Sequence, residues 1–561
     1  MARTYEETIY DAAVEAVNDA LAQPKLPTPD EIKGNILDNS RNAVEMYNSI
    51  AQPRAKWKVP TELVPFQVAY VMLRLHYVAL INMSEVETNP DRMVLGVYVD
   101  EGDDEGIYTT NETTIRSIAR RYKRSLSRKE FQEMMDILRE EVPTVKRCEE
   151  QNLVPVNNGI FDYDTKKLLP FTPDKIFVAK AKIDYNPNAR NVMIHNNLDG
   201  TDWDVESWMY EITDNNQGLA NLLWQVLGAI IRPNVPWNKA CFMYSESGNN
   251  GKGTLCALMR KLVGEGSHTS IPLNDFSKDF MLEPLIGVSA VIVDENDVGT
   301  YIDKAGNLKA VITRDIVQIN RKFKEPISFR FKGFMVQCLN EMPRVKDKSD
   351  SFYRRQLFIP FTKCFTDVER KYIKNDYLCR TEVLEYVLYR VLNMNYYEFD
   401  VPEECKTALE EYKEFNDPVR QFMGEVMHQL QWDFVPFTFL YDLYKEWYKK
   451  YVGKQEVKSL QVFIKDVLNL LKDYPNWSCP DSKKAVRPKN MMDKPEWMID
   501  EYKLEDWYST TYKGNDLDKK CCPTKKSSYR GILRVQYRVI VQKMCYHFLF
   551  FMDFLKNVAE M

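Results

Sequence analysis

The stretch Ser245-Glu246-Ser247-Gly248-Asn249-Asn250-Gly251-Lys252-Gly253-Thr254 decides how this chain is read. It follows the apolar run Ala240 to Tyr244 and precedes the helical run Leu255 to Val263. A strand, a tight glycine loop and a helix together form a phosphate cradle. Glycines let the backbone wrap so that several N–H groups converge, and the helix N-terminus adds partial positive charge. Lys252 stands where a lysine reaches the β and γ phosphates. The match to the common G-x-x-x-x-G-K-[ST] pattern is imperfect. Glu246 occupies the first glycine position, Gly253 follows the lysine, and the hydroxyl comes one place later, at Thr254. A tight turn before a helix, with a lysine near it by chance, is the plainer alternative.

What lies downstream favours the cradle. Val291-Ile292-Val293-Asp294-Glu295 reads as a buried strand ending in two acids. A phosphate-bound Mg²⁺ needs a carboxylate across from the loop, directly or through water, and hydrolysis needs a second one to polarise water. Asp294 fits the metal role and Glu295 the base. A third strand, Phe334 to Leu339, ends in Asn340-Glu341-Met342-Pro343, where Asn340 can orient the lytic water or sense the γ-phosphate. Phe352-Tyr353-Arg354-Arg355 then precedes the strand-like QLFIPF. An arginine placed at a neighbouring subunit's γ-phosphate stabilises charge that develops in the transition state. Between the acids and Asn340, strand-like residues flank the basic turn Arg321-Lys322-Phe323-Lys324. Projected into a pore, this turn offers phosphate contacts and one stacking side chain. An ordinary solvated hairpin is its bland alternative.

Composition limits the remaining choices. The chain has 561 residues, a length for three or four domains of ordinary size. Hydrophobic residues make up 44 % and charged residues 28 %, values of a globular protein that exclude wholesale disorder or a collagen-like fibre. With 76 basic and 81 acidic side chains the net charge is −5, so a generally basic nucleic-acid coat is excluded and DNA contact must come from local surface. The 11 cysteines are scattered without a CxxC pair, which suggests a reduced, cytoplasmic compartment. Cys479, Cys521, Cys522, Cys545 and His547 fit no zinc spacing. The N-terminus carries acids where a signal peptide needs an apolar run. Val539 to Leu555 is interrupted by Lys543, His547 and Asp553 and is too short to span a bilayer, so no membrane role is expected.

Along the chain, residues 5–21 repeat apolar side chains at helical spacing until Pro24, Pro27 and Pro29. Phe66 to Val86 reads as a further helix or buried segment, followed by the strand-like VLGVYV and the acidic loop Asp100 to Gly106. Thr114 to Arg124 is a basic helical stretch, either a solvated face or one turned to DNA or a subunit. Val154 to Asp174 holds two short strand-like runs, and Asp204 to Ile231 is helical up to Pro233 and Pro236. From Lys239 short β runs alternate with helical runs, the pattern of an α/β domain with a largely parallel sheet. After about Asn395 the chain is helical again, with dense aromatics in Ala408 to Val426 and Phe437 to Tyr451. A basic run follows from Lys513 to Lys543.

Together these motifs resemble the superfamily 3 helicases, and more closely the phage and plasmid primase-associated helicases related to the poxvirus primase-helicase. SGNNGKGT resembles that family's phosphate loop, VIVDEN its acidic strand, CLNEMP its asparagine strand and YRRQLFIPF its arginine finger. ITRDIVQINRKFKEP resembles its DNA-loop region, with Arg314 in place of a usual glycine. VPVNNGIFDYDTKKLLPFTPD resembles its accessory region. EYKEFNDPVRQFMGEV, LYDLYKEWYKKY and SLQVFIKDV resemble its C-terminal winged-helix region.

The resemblance implies a multidomain α/β protein with an AAA+ P-loop ATPase core. The expected division is a helical N-terminal region (1–90), an accessory or collar region (91–235), the helicase domain (236–395) and a winged-helix-like, basic C-terminal region (396–561). It implies a hexameric ring that hydrolyses ATP between subunits and moves 3′-to-5′ on single-stranded or forked DNA, in replication of a phage, plasmid or similar element in a bacterial cytoplasm. Ser247, Gly248, Asn249, Asn250, Gly251, Lys252, Gly253 and Thr254 then bind nucleotide. Thr254 and Asp294 hold Mg²⁺, Glu295 activates water, Asn340 senses it, and Arg354 or Arg355 acts on the neighbour. Arg321, Lys322 and Lys324 contact DNA. With no acidic or histidine cluster near the N-terminus, any primase or initiator is expected on another polypeptide. An ATP-dependent origin-binding scaffold without unwinding is the alternative. A small-molecule kinase explains the loop but not CLNEMP followed by YRR.

Overall fold

The structure is a computed structural model that describes residues 3–366, 369–451 and 457–535. The apolar run from Val539, Cys545, His547 and the end of the basic run lie outside the described residues. The chain forms two compact units, Met1–Leu409 and Glu410–Met561.

The first unit begins with helices Tyr5–Leu21, Pro29–Ile50 and Pro65–Leu75. The first two open with capping boxes, Thr4 with Glu7 and Thr28 with Glu31, which satisfy donors the helix cannot pair internally. Buried Gln67 ties the three together, its amide donating to the Ile9 carbonyl and to Ser40 Oγ. The expected segment Phe66 to Val86 divides after Leu75. Its second half is strand Val78–Asn82, antiparallel to Val94–Tyr98 and parallel to Thr144–Lys146. The basic stretch forms helix Glu112–Arg120, and its cations are largely used within the chain. Arg116 and Arg120 donate to the Leu126 carbonyl, Arg121 pairs with Glu101, and buried Lys123 pairs with Glu130. The two expected runs after Val154 are three antiparallel strands: Leu153–Val156, Gly159–Asp162 and Lys167–Leu169. The expected helix Asp204 to Ile231 is two helices, Val205–Glu211 and Gln217–Ile231, because Asp214 and Asn215 turn left-handed at φ 52° and 62°.

At the centre of this unit is a five-stranded sheet, parallel throughout. In spatial order its strands are His268–Thr269, Ala290–Val293, Phe334–Leu339, Ala240–Tyr244 and Gln356–Pro360. Central strands of such a sheet are covered on both faces, which is why their sequences are uninterrupted apolar runs. Helices Lys252–Val263, Gln217–Ile231 and Thr381–Leu392 cover one face and share a core with its residues, among them Cys241, Met243, Ile292, Val336 and Ile359. Because all five strands run the same way, their C-terminal ends form one edge, where open α/β sheets bind ligands. Phe334–Leu339 lies between the strand that leads into the phosphate loop and the strand that ends in the two acids. Asn340 is thereby set beside both.

The second unit contains helices Pro418–Val426, Phe437–Tyr451 and Leu460–Leu470. Its antiparallel sheet has Gly531–Arg534 between Phe434–Pro436 and Trp477–Ser478. Helical structure before Val426 breaks at Asp417, whose side chain caps Val419 N ahead of Pro418. Phe422, Trp432, Tyr444, Trp447 and Phe463 fill its core, which accounts for the aromatic density. Among the described residues no helix is long and apolar enough to cross a membrane.

Candidate nucleotide site at the sheet edge

Ser245 N donates to the Leu339 carbonyl, which ties the start of the loop to the asparagine strand. Asn249 (φ 53°) and Gly251 (φ 85°) then reverse the chain. At Gly251 a side chain is disfavoured on two counts. The left-handed backbone disfavours a Cβ, and one built there would lie 3.2 Å from Ile212 Cγ2. Buried Asn250 staples the loop from inside: its amide donates to the Ser247 carbonyl and its Oδ1 accepts from Lys252 N at 3.3 Å. Helix Lys252–Val263 starts at the lysine.

Lys252 is 5 % exposed, and its Nζ has no hydrogen-bond partner among the described residues. Burial holds its pKa below the usual lysine value, against the pull of Cys338, Cys256 and Glu295. A buried ammonium without a partner is costly, and an anion at the loop would offset that cost. Across from it, Asn340 Nδ2 donates to Glu295 Oε1 at 3.2 Å. Glu341 accepts from Gly299 N at 2.9 Å.

Asp294 is engaged elsewhere. Both its oxygens accept from the Arg260 guanidinium at 2.8 Å, a fork-to-fork pair. The pair raises the Arg260 pKa. Thr254, half-buried, faces a cavity beside the loop. Among the described residues no three His, Cys, Asp or Glu side chains converge to hold a metal ion.

Arg354 and Arg355 precede Gln356, which pairs with Ala240 at the start of the loop strand. They occupy the opposite edge of the sheet, about 13 Å of strand away at roughly 3.3 Å per residue. Arg354 is exposed. Arg355 is half-buried and donates to the Ser351 carbonyl and to Ser351 Oγ.

The basic turn is the tip of an antiparallel hairpin, Val317–Arg321 with Lys324–Phe329, closed across Arg321 and Lys324. Phe323 sits at its apex at φ 61° and is 95 % exposed, with Lys322 Nζ 5.5 Å from its ring centroid. Arg321 donates to the Glu325 carbonyl, and Lys324 pairs with Glu112 at 2.7 Å. The hairpin base is anchored to the N-terminal part: Ser328 donates to Glu87, Arg330 pairs with Glu85, and Arg330 N donates to the Met83 carbonyl. Arg314, at φ 58°, holds the carbonyls of Pro233, Asn234 and Val235.

The sequence reading missed Arg260, although a signal existed. Lys252, Cys256 and Arg260 recur at every fourth position and so share one face of the loop helix. It also missed Trp208, Ile212 and Lys374 around the cavity, which no local pattern connects to the loop.

Three family models match separate parts of the chain. Residues 84–213 match "D5 N terminal like", residues 414–504 match "Poxvirus D5 protein-like", and residues 243–355 match a family of unknown function, DUF5906. No curated protein matches. Among solved structures, the A-form apo C-terminal region of NrS-1 is 16 % identical, with a TM-score of 0.41 over 80 % of this chain and 92 % of that one. A second A-form apo structure, of NrS-1 residues 305–718, is 15 % identical with a TM-score of 0.41, over 84 % of this chain and 100 % of that one. The two D5-like matches lie one on each side of the phosphate loop.

Proposed function

We propose that the chain is an ATP-driven DNA helicase of the superfamily 3 type, with an AAA+ P-loop core, working as a ring of identical subunits. The reading has the ring hexameric and moving 3′-to-5′ on single-stranded DNA in replication of a phage, plasmid or similar element. The observation that carries it is the buried, unpartnered Lys252 Nζ at the head of the loop helix, with the Glu295–Asn340 pair on the same sheet edge. Lys252 and the loop amides hold the triphosphate. Glu295 orients the attacking water and takes its proton, and Asn340 keeps that carboxylate aimed. Mg²⁺ would neutralise phosphate charge, held by Thr254 and by Asp294 where the latter leaves Arg260. An arginine of the Arg354–Arg355 pair enters the next subunit's site. Its distance from the loop of its own chain supports action between subunits. Arg321, Lys322 and Lys324 follow the DNA backbone while Phe323 stacks on a base. The D5 matches support the same reading.

The test is strand displacement on a forked duplex with ATP, comparing the wild type with Glu295→Gln. Unwinding that falls at least about 100-fold in the variant while DNA binding persists is the expected result. DNA binding with no unwinding in either protein would overturn it in favour of an ATP-dependent initiator scaffold.

A further inference from the structure

The backbone ladder between the acidic strand and the asparagine strand ends at the pair Val293 and Gln337. Glu295 and Asn340 lie beyond it, joined by the 3.2 Å bond between their side chains. Glu295 is exposed, whereas the next residue, Asn296, is buried. An amide side chain is buried at little cost only where its polar atoms are paired. Here they are. Asn296 Oδ1 accepts from Leu273 N at 2.9 Å, and its Nδ2 donates to the Cys338 carbonyl at 3.1 Å and to Gln337 Oε1 at 2.9 Å. Gln337, fully buried, donates in turn from Nε2 to the Ile271 carbonyl at 3.1 Å. A backbone N–H only donates and a carbonyl only accepts, so Leu273 and Cys338 fix which way the Asn296 amide faces.

Ile271 and Leu273 follow strand His268–Thr269, Asn296 follows Ala290–Val293, and Gln337 and Cys338 belong to Phe334–Leu339. These three strands are neighbours in the sheet. The two amides therefore stitch their C-terminal ends together where the backbone ladder stops. Asn296 adjoins Glu295, and Cys338 stands two residues before Asn340. Consecutive Cα atoms are about 3.8 Å apart, so seating Asn296 on the Cys338 carbonyl limits where the Glu295 backbone can stand relative to Asn340.

We propose that Asn296 is a positioning residue for Glu295: its amide, seated on the Cys338 carbonyl and on Gln337, fixes the backbone from which that carboxylate reaches the attacking water. This role rests on the nucleotide reading above and adds to it a residue that acts only through another. A displacement of about 1 Å at a reacting group can cost on the order of 100-fold in rate, so a buried clamp one residue away governs turnover without touching substrate. Asn296→Asp keeps the shape and the acceptor for Leu273 N but turns a carboxylate oxygen toward the Cys338 carbonyl. Asn296→Ala removes the amide without burying a charge.

The experiment measures ATP binding and ATP hydrolysis by the full chain as wild type, Asn296→Asp, Asn296→Ala, Glu295→Gln and the double variant Asn296→Ala with Glu295→Gln. Each Asn296 variant is expected to lower kcat about 30- to 100-fold while ATP affinity stays within about threefold, a loss confined to the chemical step. Retained ATP binding in the same sample reports a folded phosphate loop, and Asn296→Ala carries the test if the aspartate variant does not fold. In the Glu295→Gln background, Asn296→Ala should lower the residual rate by less than about threefold, because the group it positions is already gone. Full additivity of the two losses means a merely structural asparagine and overturns the proposal. So does loss of ATP binding in step with hydrolysis in both single variants, or wild-type turnover in both. If Glu295→Gln itself hydrolyses ATP like the wild type, the nucleotide reading falls as well; if it is inactive while the Asn296 variants are fully active, only the positioning role falls.

Discussion

The two edges of the central parallel sheet are made by the same strands and carry opposite chemistry. At the C-terminal edge stand a buried lysine, the hydrogen-bonded Glu295–Asn340 pair and Asp294 in the grip of Arg260. At the N-terminal edge two arginines stand together, one exposed and one folded back on Ser351. Strand direction alone sorts them. Every strand delivers the residue after its last one to the first edge and the residue before its first one to the second. Arg354 and Arg355 stand a strand's length from the loop of their own chain, so under the proposed function they serve the site of a second copy.

The largest expected effect tests the first edge. Lys252→Ala should lower ATP hydrolysis by roughly 1,000-fold or more while the melting temperature holds, because the lost ammonium is buried and unpartnered. A fully active variant would break the comparison at its root. Next, Arg354→Ala should lower hydrolysis about 100- to 1,000-fold with nucleotide binding intact. Mixing it with Glu295→Gln subunits should restore part of the activity, since the two lesions then fall in different sites. Arg355→Ala should instead lower the melting temperature by a few degrees, because that guanidinium holds Ser351. If the two arginines exchange these phenotypes, the assignment between them reverses. A smaller effect is expected at Arg260. Arg260→Ala frees Asp294 and should lower the Mg²⁺ concentration giving half-maximal hydrolysis about threefold, read from a metal titration. The smallest concerns the hairpin. Glu112→Gln releases Lys324 and should tighten single-stranded DNA binding about twofold at low salt, a modest gain because exposed ion pairs are weak.

The strands of the central sheet were legible because burial on both faces forces continuous apolar runs, and the turn residues after Tyr244, Val293 and Leu339 mark their ends. Their spatial order was not. Parallel pairing joins strands far apart in sequence, and nothing within Phe334–Leu339 says that it separates Ala240–Tyr244 from Ala290–Val293. His268–Thr269 is too short for any periodic signal. Leu75 to Val78 shows a different limit, since a buried helix followed at once by a buried strand gives one apolar stretch without a change of period. The phosphate loop and the strand ends that border the candidate site were legible from local pattern. The Arg260 clasp on Asp294 and the approach of Lys374 to Gly253 are products of tertiary packing.

Arg314 ties two parts of the first unit together. It adopts the left-handed backbone that a glycine enters without strain, and its guanidinium grips three successive carbonyls, of Pro233, Asn234 and Val235. These residues lie just ahead of the strand that leads into the phosphate loop, while Arg314 itself lies just ahead of the hairpin. The side chain is thus a mechanical link between the hairpin's root and the loop strand's root. Pulling on the hairpin tip would load the stem of the phosphate loop through one rigid planar group, where a glycine would let the two slide independently.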